Sequence, residues 1–187
     1  MKPLKTSRLV LRNWEERDRD LFFRINSDER VMEFFPFRRS RQQSDDVMDR
    51  IGAENEANGY GWAAAEIVAT GQCIGFVGLH DCEIEPVVAA GAMEIGWRLA
   101  PEFWGLGYVT EAASALLDQA FGPLGRTEVV SFAVVGNHRS TAVMQRLGMR
   151  YDREFDHPRV PDTHPALKRH VLYTMRRADW QGRTATA

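Results

Sequence analysis

Cysteine is scarce in this sequence, and neither sign of charge dominates it. The two cysteines among 187 residues, Cys73 and Cys82, form no CxxC pair and no zinc-type spacing. So few thiols exclude a disulfide-stabilised scaffold and indicate a reducing, cytoplasmic compartment. The formal net charge is -2, so we expect no general electrostatic attraction to nucleic acid or to an anionic membrane.

Long apolar runs are missing as well. No stretch approaches the roughly 20 residues that a membrane-spanning helix needs, and the charged N-terminus lacks the apolar segment of a signal peptide. Hydrophobic residues nonetheless make up 44% of the chain, which is ordinary for a globular protein with its own core. We therefore predict one domain over residues 1–187, with an ordered core at about 6–177 and a polar tail at 178–187.

The centre of the chain has the pattern of a strand, a glycine-containing loop and a helix. Residues 93–99 alternate as a strand does, Pro101 ends that strand, and an apolar helical stripe runs through 108–121. Gly105 and Gly107 lie at the junction, where glycine lets backbone amides approach a ligand. Amides at a helix N-terminus favour an anion, so the loop predicts a site for a phosphate or pyrophosphate. A tight connection without a ligand is the other interpretation, and this pattern alone leaves both open.

Two nucleotide-binding motifs are absent from this loop. It lacks the Gly-Lys-Ser/Thr ending that would place a lysine and a hydroxyl at a γ-phosphate and its metal. It also lacks the GxGxxG pattern with a following acidic residue for the ribose. The loop therefore disfavours a nucleotide-dependent phosphotransferase and a dinucleotide-binding fold.

Strand and helix patterns alternate along the rest of the chain. Strands are predicted at 7–12, 62–68, 73–79, 93–99, 128–135, 150–155 and 170–176. Helices are predicted at 17–27, 44–58, 108–121 and 139–147, with Ser44 at the start of the second helix and a loop at 81–90. Three aromatic residues near Pro36 either line a substrate entrance or cover the core: Phe34, Phe35 and Phe37. An antiparallel start and a β-α-β-α-β finish predict a single α/β domain with a mixed sheet.

Four segments carry a resemblance to a known family. They are Thr6 to Trp14, Glu94 to Leu99 with Phe103 to Ala112, Asn137 to Met149, and His170 to Tyr173. With these segments the chain resembles the GNAT acyl-CoA N-acyltransferase superfamily, and most closely its ribosomal-protein N-terminal acetyltransferases (the RimJ/RimL-like branch). The resemblance implies a GNAT-like fold: a mixed, mostly antiparallel sheet of about seven strands, splayed at strands 4 and 5 and flanked by about four helices.

The resemblance also implies acetyl-CoA as the cofactor, and no metal. It places the pyrophosphate on the amides of 105–110 and the pantetheine arm in the gap between the strand that ends at Leu99 and the strand that begins near Glu128. It further implies that Asn137 hydrogen-bonds the pantetheine and that Ser140 lies near the sulfur, although Asn137 is equally typical of a helix cap and Ser140 of a first helical turn. The candidate cofactor-binding residues are Trp97, Arg98, Leu99, Trp104, Gly105, Leu106, Gly107, Tyr108, Val109, Thr110, Asn137, Ser140 and Met144.

Three residues depart from the pattern of the superfamily. Trp104 stands where an arginine or glutamine often begins the loop, and Val109 replaces a small residue. Both still offer backbone amides. Met144 occupies the position where many relatives carry a tyrosine that protonates the leaving thiolate, so Ser140 is our hypothesis for the group that hydrogen-bonds the sulfur.

The implied reaction is direct attack of a neutral amine on an acetyl thioester. Glu94 is the candidate general base, and a half-buried carboxylate in a salt bridge is the alternative for it; His80 is the second candidate base. His157, His164 and His170 show no metal-ligand spacing, and we expect each at a loop or edge surface.

Two functions follow. The first is a cytoplasmic N-acetyltransferase, monomeric or homodimeric, that acts on a protein N-terminal α-amine or a small-molecule amine and has no nucleic-acid or membrane partner. The alternative, which Met144 keeps open, is a catalytically decayed CoA-binding module or sensor.

Overall fold

The computed structural model describes the backbone of residues 1–184 and the side chains of residues 1–88 and 91–182. Within this range the chain forms one eight-stranded sheet and five α-helices. The strands are β1 (Leu4–Lys5), β2 (Leu9–Arg12), β3 (Trp62–Ile67), β4 (Cys73–Ile84), β5 (Val88–Leu99), β6 (Glu128–Val134), β7 (Arg150–Asp156) and β8 (Arg169–Arg176). The helices are α1 (Arg19–Ser27), α2 (Arg41–Asn58), α3 (Tyr108–Phe121), α4 (His138–Arg146) and α5 (Arg177–Thr184). The predicted α/β class is confirmed, with one strand and one helix more than predicted.

The sheet opens in its middle. Its order is β1-β2-β3-β4-β5-β6-β8-β7, and neighbouring strands are antiparallel except for β5 and β6. These two strands run parallel and, in the described part of the chain, pair only at Met93–Val129 and Glu94–Val130. Beyond those pairs they diverge and leave a V-shaped gap, which confirms the predicted splay. The predicted strands 4 and 5 are β5 and β6 here, because the short β1 precedes the first predicted strand.

Helices cover both faces of the sheet. The odd-numbered residues of 93–99 in β5 pack with the apolar stripe of α3 in the main core. On the opposite face, α1 and α2 pack around Phe22 and Phe76. Because side chains alternate along a strand, the even-numbered residues of 94–98 face α1 and α2. None of the helices in the described part of the chain is long and apolar enough to cross a membrane.

Helix α2 begins three residues before its predicted start. Ser40 is the N-cap: its hydroxyl accepts from the amide of Gln43, and the Gln43 side chain accepts in return from the amide of Ser40. Ser44 is fully buried inside the helix, so the prediction that it caps α2 is wrong. The predicted end is confirmed, since Gly59 terminates the helix at a φ of 77°.

The predicted loop at 81–90 is wrong, because β4 and β5 continue as a long hairpin. Cys82 pairs with Ala92, and Ile84 pairs with Val88. Cys82, Ile84 and Val88 are buried against β6, β7 and β8, while Asp81 lies at the surface. Acidic residues alternate with buried apolar ones here, which is a strand pattern that the density of charge hides.

The predicted polar tail is also wrong, because residues 177–184 form α5. Trp180 is buried; its indole N–H donates to Asp118 Oδ1 at 2.7 Å, and its ring lies 6.5 Å from that of Phe121. Trp180 thus anchors a largely polar segment, together with Arg177, whose side chain donates to the carbonyl of Arg126. Residues 185–187 of the predicted tail lie outside the described residues.

Candidate active site

A cavity of about 720 Å³ opens where β5 and β6 diverge. We distinguish two sides of it. The glycine-loop side consists of residues 104, 105 and 107–110 with Asn137, Ser140 and Met144 of the α4 region. The aromatic side lies on the α1–α2 face of the sheet and includes Phe34, Phe35, Phe37, Trp62, Phe76, His80, Glu94, Gly96 and Arg98. All the predicted site residues line the cavity except Leu106, which is half exposed and lies outside it.

Two glycines shape the loop that precedes α3. Gly105 has a φ of 74° and Gly107, the N-cap of α3, a φ of 81°, both in the left-handed region. The amides in the first turn of α3 have no partner inside the helix, so they are available to a ligand together with the positive end of the helix dipole. This geometry agrees with the predicted anion site.

Residues from the start of the chain hold this loop in place. Glu111, in the first turn of α3, accepts from Thr6 Oγ1 at 2.6 Å and from the amide and Nε of Arg8 at 2.7 and 2.6 Å. Burial raises the pKa of Glu111, but these hydrogen bonds outweigh it and leave the pKa below its ordinary value. Arg8 also donates to the carbonyl of Leu106 at 3.0 Å and lies 4.6 Å from the ring of Tyr108. The sequence offered no sign of this link, because its partners are about a hundred residues apart.

The glycine-loop side carries further groups suited to a phosphate-bearing ligand. Thr110 Oγ1 is buried there without a hydrogen-bond partner. Arg139 and Arg146 also line the cavity, and Arg139 lies 4.3 Å from the ring of Trp104. A second recess, of about 510 Å³, adjoins the loop and shares Gly105, Gly107, Thr110 and Arg146 with the cavity. Sequence reasoning missed both arginines, since neither belongs to the loop motif.

Asn137 is the N-cap of α4. Its Oδ1 accepts from the amide of Ser140 at 3.2 Å, so the capping interpretation of Asn137 is confirmed. Ser140 lies in the first turn and lines the cavity, and Met144 is buried one turn further along.

The residues at the end of β5 point in different directions. Trp97 and Leu99 lie on the α3 face, and the carbonyl of Leu99 accepts from the indole N–H of Trp104 at 2.9 Å. Arg98 instead points to the aromatic side, where it donates to Asn26 Oδ1 at 2.6 Å. Its side chain therefore faces away from the glycine loop with which the sequence grouped it.

Glu94 lies at the narrow end of the V, on the aromatic side. It is partly buried, and burial raises its pKa to about 7, although the Cys82 thiol and the charge of Arg159 act in the other direction. Among the described residues no cation lies within 4.0 Å of it, so the salt-bridge alternative for Glu94 finds no support. A carboxylate with a pKa close to neutrality can accept or release a proton at physiological pH.

Two neighbours of Glu94 on β4 shape its surroundings. His80 is its cross-strand partner and stacks on Trp62, with ring centroids 5.5 Å apart. Cys82 lies near the Glu94 carboxylate, and burial together with that charge raises the pKa of Cys82 to about 12. The thiol therefore stays protonated at physiological pH, which the sequence did not indicate.

Two of the late histidines meet at the far wall of the cavity. The rings of His157 and His170 lie 4.8 Å apart. Burial, then His170 and Arg159, lower the pKa of His157 to about 4, and burial also lowers the pKa of His170. His170 is buried on β8, so the expectation of a surface position is wrong for it. No group of three or more potential metal-ligating residues occurs in the described part of the chain.

Known proteins resemble this chain in sequence and in fold. The family model described as "Acetyltransferase (GNAT) domain" matches residues 8–150. The uncharacterized protein YkkB of Bacillus subtilis is 30% identical over 151 residues, which cover 80% of this chain and 86% of YkkB. YdaF of the same organism, named a putative ribosomal N-acetyltransferase, is 32% identical over 119 residues, which cover 63% of this chain and 61% of YdaF. The crystal structure of an acetyltransferase from Agrobacterium tumefaciens superposes with a TM-score of 0.72 at 28% identity and covers 94% of each chain.

Proposed function

Because this chain belongs to the GNAT acetyltransferase family and is an acetyl-CoA-dependent N-acetyltransferase, we propose that it acetylates a primary amine by direct attack, with Glu94 as the general base. One observation carries the proposal. Glu94, whose pKa is about 7, faces the same cavity as the glycine loop, at the point where β5 and β6 part.

The glycine-loop side fits acetyl-CoA. The amides of residues 105–110 would hold the pyrophosphate, and each amide bonded to a charged oxygen contributes roughly 1.5–3 kcal/mol. The buried, unpartnered hydroxyl of Thr110 gives the ligand a further donor, and Arg139 and Arg146 supply positive charge. When bound, acetyl-CoA supplies the acetyl thioester, which is the electrophile. Asn137, Ser140 and Met144 would border the pantetheine arm and the sulfur.

Glu94 would accept a proton from the amine. An α-amine has a pKa near 7.8, so transfer to a carboxylate with a pKa of about 7 is uphill by only about 1 kcal/mol. The same transfer from a lysine amine, with a pKa near 10.4, is uphill by roughly 5 kcal/mol. The pKa of Glu94 thus favours an acceptor of low basicity, either a protein N-terminal α-amine or a small-molecule amine of similar pKa.

The departing sulfur needs a donor other than tyrosine. Met144 is buried in the core beside the cavity and has no proton to give. The Ser140 hydroxyl, one turn earlier on α4, is the group that we propose hydrogen-bonds the thiolate, which is a fairly good leaving group by analogy with a thiol pKa near 8.5. An unchanged turnover in Ser140→Ala would remove this role.

The ribosomal-protein branch is a narrower form of the proposal, and the name of YdaF supports it. In that form the acceptor is the N-terminal α-amine of a ribosomal protein. The scarcity of cysteine supports a cytoplasmic location for the enzyme.

Thermal unfolding with acetyl-CoA, and with ATP as the control, tests the cofactor site first. Ligand at about 100 times its dissociation constant adds roughly 2.7 kcal/mol, which raises the midpoint by about 5–10 °C in a chain of this length. A shift with acetyl-CoA but not with ATP is expected. CoA release is then followed with a panel of amines; acetyl-CoA binding without release for any amine would instead favour a CoA-binding module that has lost catalysis.

A further inference from the structure

Most of the described arginines pair with a carboxylate, but several that line the cavity do not, and two of these lie on its aromatic side next to each other. Arg39 and Arg98 both line it, and each has a buried Nε without a hydrogen-bond partner. Among the described residues, no carboxylate lies within 4.0 Å of either guanidinium. Burying an unpaired cation costs free energy, and a bound anion would offset that cost.

The two arginines are held together by one residue. Asn26, which is buried in α1, accepts from Arg98 through its Oδ1 and from the amide of Arg39 through its backbone carbonyl at 3.0 Å. Arg98 lies 4.3 Å from the ring of Phe35, and Arg39 lies 4.8 Å from the ring of Phe37. These contacts orient both guanidiniums but neutralise neither.

Electrostatics point the same way. Burial, and then the charge of Arg39, lower the pKa of Arg98 to about 9. Burial, and then the nearby Arg50, lower the pKa of Arg39. Three cations therefore repel one another along one wall of the cavity, and an anion placed among them would be stabilised by all three.

This wall adjoins the proposed base. Glu94 and Arg98 face the same side of β5 and are separated by Gly96, so their Cα atoms lie about 13 Å apart. The Trp62 ring fills the space beside Gly96, because a Cβ at Gly96 would lie 2.9 Å from that ring. A ligand that spans the distance from Glu94 to Arg98 along the cavity wall, past the Trp62 ring, could present an amine to Glu94 and an anion to Arg98.

We propose that the acceptor is a small molecule in which the amine is accompanied by an anionic group, a carboxylate or a phosphate, and that Arg98 and Arg39 bind this group. This inference rests on the proposed function and narrows its acceptor class. A guanidinium offers paired N–H donors that match either oxyanion. The two arginines would therefore select a ligand by the charge and the position of its anionic group.

The test compares acceptors that differ in the charge of the group beside the amine. Each kcat/KM is expressed per neutral amine, because a carboxylate also raises the pKa of the amine. CoA release is measured with straight-chain ω-amino acids and the common α-amino acids, with their carboxamides, and with aminoalkyl phosphates. We expect the wild-type kcat/KM to be at least about 10-fold higher for an anionic acceptor than for its uncharged counterpart, as hydrogen bonds to charged groups suggest. The carboxylate and phosphate series together identify which anion is bound.

Variants assign the preference to the arginines. Arg39→Gln, at a partly exposed position, should reduce the anion preference to less than about 3-fold. Arg98→Lys keeps the charge but loses the paired donors, and should reduce the preference to an intermediate extent. Arg41→Gln is the matched control, because Arg41 lies outside the cavity and pairs with Asp45; it should keep the full preference.

The outcomes separate the two proposals. Uncharged amines acetylated as well as anionic ones, or a preference that survives in Arg39→Gln, would overturn the anion subsite and leave the acetyltransferase proposal standing. If none of the amines tested causes CoA release, the acetyltransferase proposal is overturned. In that case thermal unfolding with CoA present tests the anion subsite. Amino acids should raise the unfolding midpoint of the wild type but not that of Arg39→Gln. Equal midpoint shifts with amino acids and with their carboxamides would overturn the anion subsite.

Discussion

The Glu94→Gln substitution is the sharpest perturbation of the proposed mechanism. Glutamine keeps the shape of the side chain but accepts no proton at neutral pH. With a pKa of about 7, Glu94 is a carboxylate in about half of the molecules at pH 7, in roughly nine-tenths at pH 8 and in about a tenth at pH 6. Its contribution to the rate should therefore rise about tenfold between pH 6 and pH 8.

The assay follows CoA release by the wild type and by Glu94→Gln with one acceptor amine between pH 5.5 and 8.5. The acceptor titrates in both enzymes, so the ratio of the two kcat/KM values cancels that titration and reports Glu94. We expect a loss of about 100-fold at pH 8, typical of a general base, and a ratio that falls about tenfold toward pH 6. Glu128→Gln, which removes an exposed carboxylate from β6, is the control.

Stability gives a second readout that does not depend on turnover. The pKa of Glu94 is raised in the folded state, from 4.5 to about 7, so the folded state holds more protons than the unfolded chain in this window. The free energy of unfolding therefore falls as pH rises from about 4.5 to 7, by a few kcal/mol, and Glu94→Gln should lack this fall. A rate ratio that stays flat with pH, together with an unchanged stability profile, would refute the assignment of Glu94 as the base.

Three further changes test other parts of the site and fold. Cys82→Ala removes a thiol that lowers the pKa of Glu94, so the acid limb of the rate profile should move to higher pH. Cys82→Ser keeps a polar hydrogen at this position and should leave the limb in place. Gly105→Ala and Gly59→Ala introduce similar strain, about 1–2 kcal/mol, at φ angles of 74° and 77°, so thermal denaturation should show similar losses of stability. Calorimetry should show weaker acetyl-CoA binding only for Gly105→Ala, and equal affinities in the two variants would argue against the loop as the cofactor site. Trp180→Ala should lower the free energy of unfolding by about 3 kcal/mol, and Trp180→Phe by less; urea unfolding measures both, and a negligible loss in the alanine variant would mean that α5 is not fixed by this side chain.

Local patterns made much of the glycine-loop side predictable. The alternation of 93–99 and the apolar stripe of 108–121 locate β5 and α3, and glycines at 105 and 107 meet a requirement for left-handed backbone. The resemblance to a family added the V between β5 and β6, which no local pattern reveals, because it depends on how two distant strands pair.

The aromatic side was only partly predictable from the sequence, which offered Glu94 and His80 as candidate bases but not the contacts around Arg98. Asn26 and Arg98 meet across 72 positions of the chain, and no periodicity links them. Burial of Cys82 beside Glu94 was hidden by a charged stretch that suggested a loop. Trp180 was missed for a related reason. The segment around it is polar on average, and its average polarity does not reveal that one aromatic side chain is buried.

The V has a mechanical consequence for the whole sheet. Five strands, β1 to β5, form one block and β6, β8 and β7 form another. Among the described residues, only two residue pairs join the blocks within the sheet. A ligand bound in the V contacts both blocks at once and links them where the strands no longer pair. Its binding energy is then added to the cohesion between the two halves, so occupancy of the site and integrity of the sheet rise and fall together.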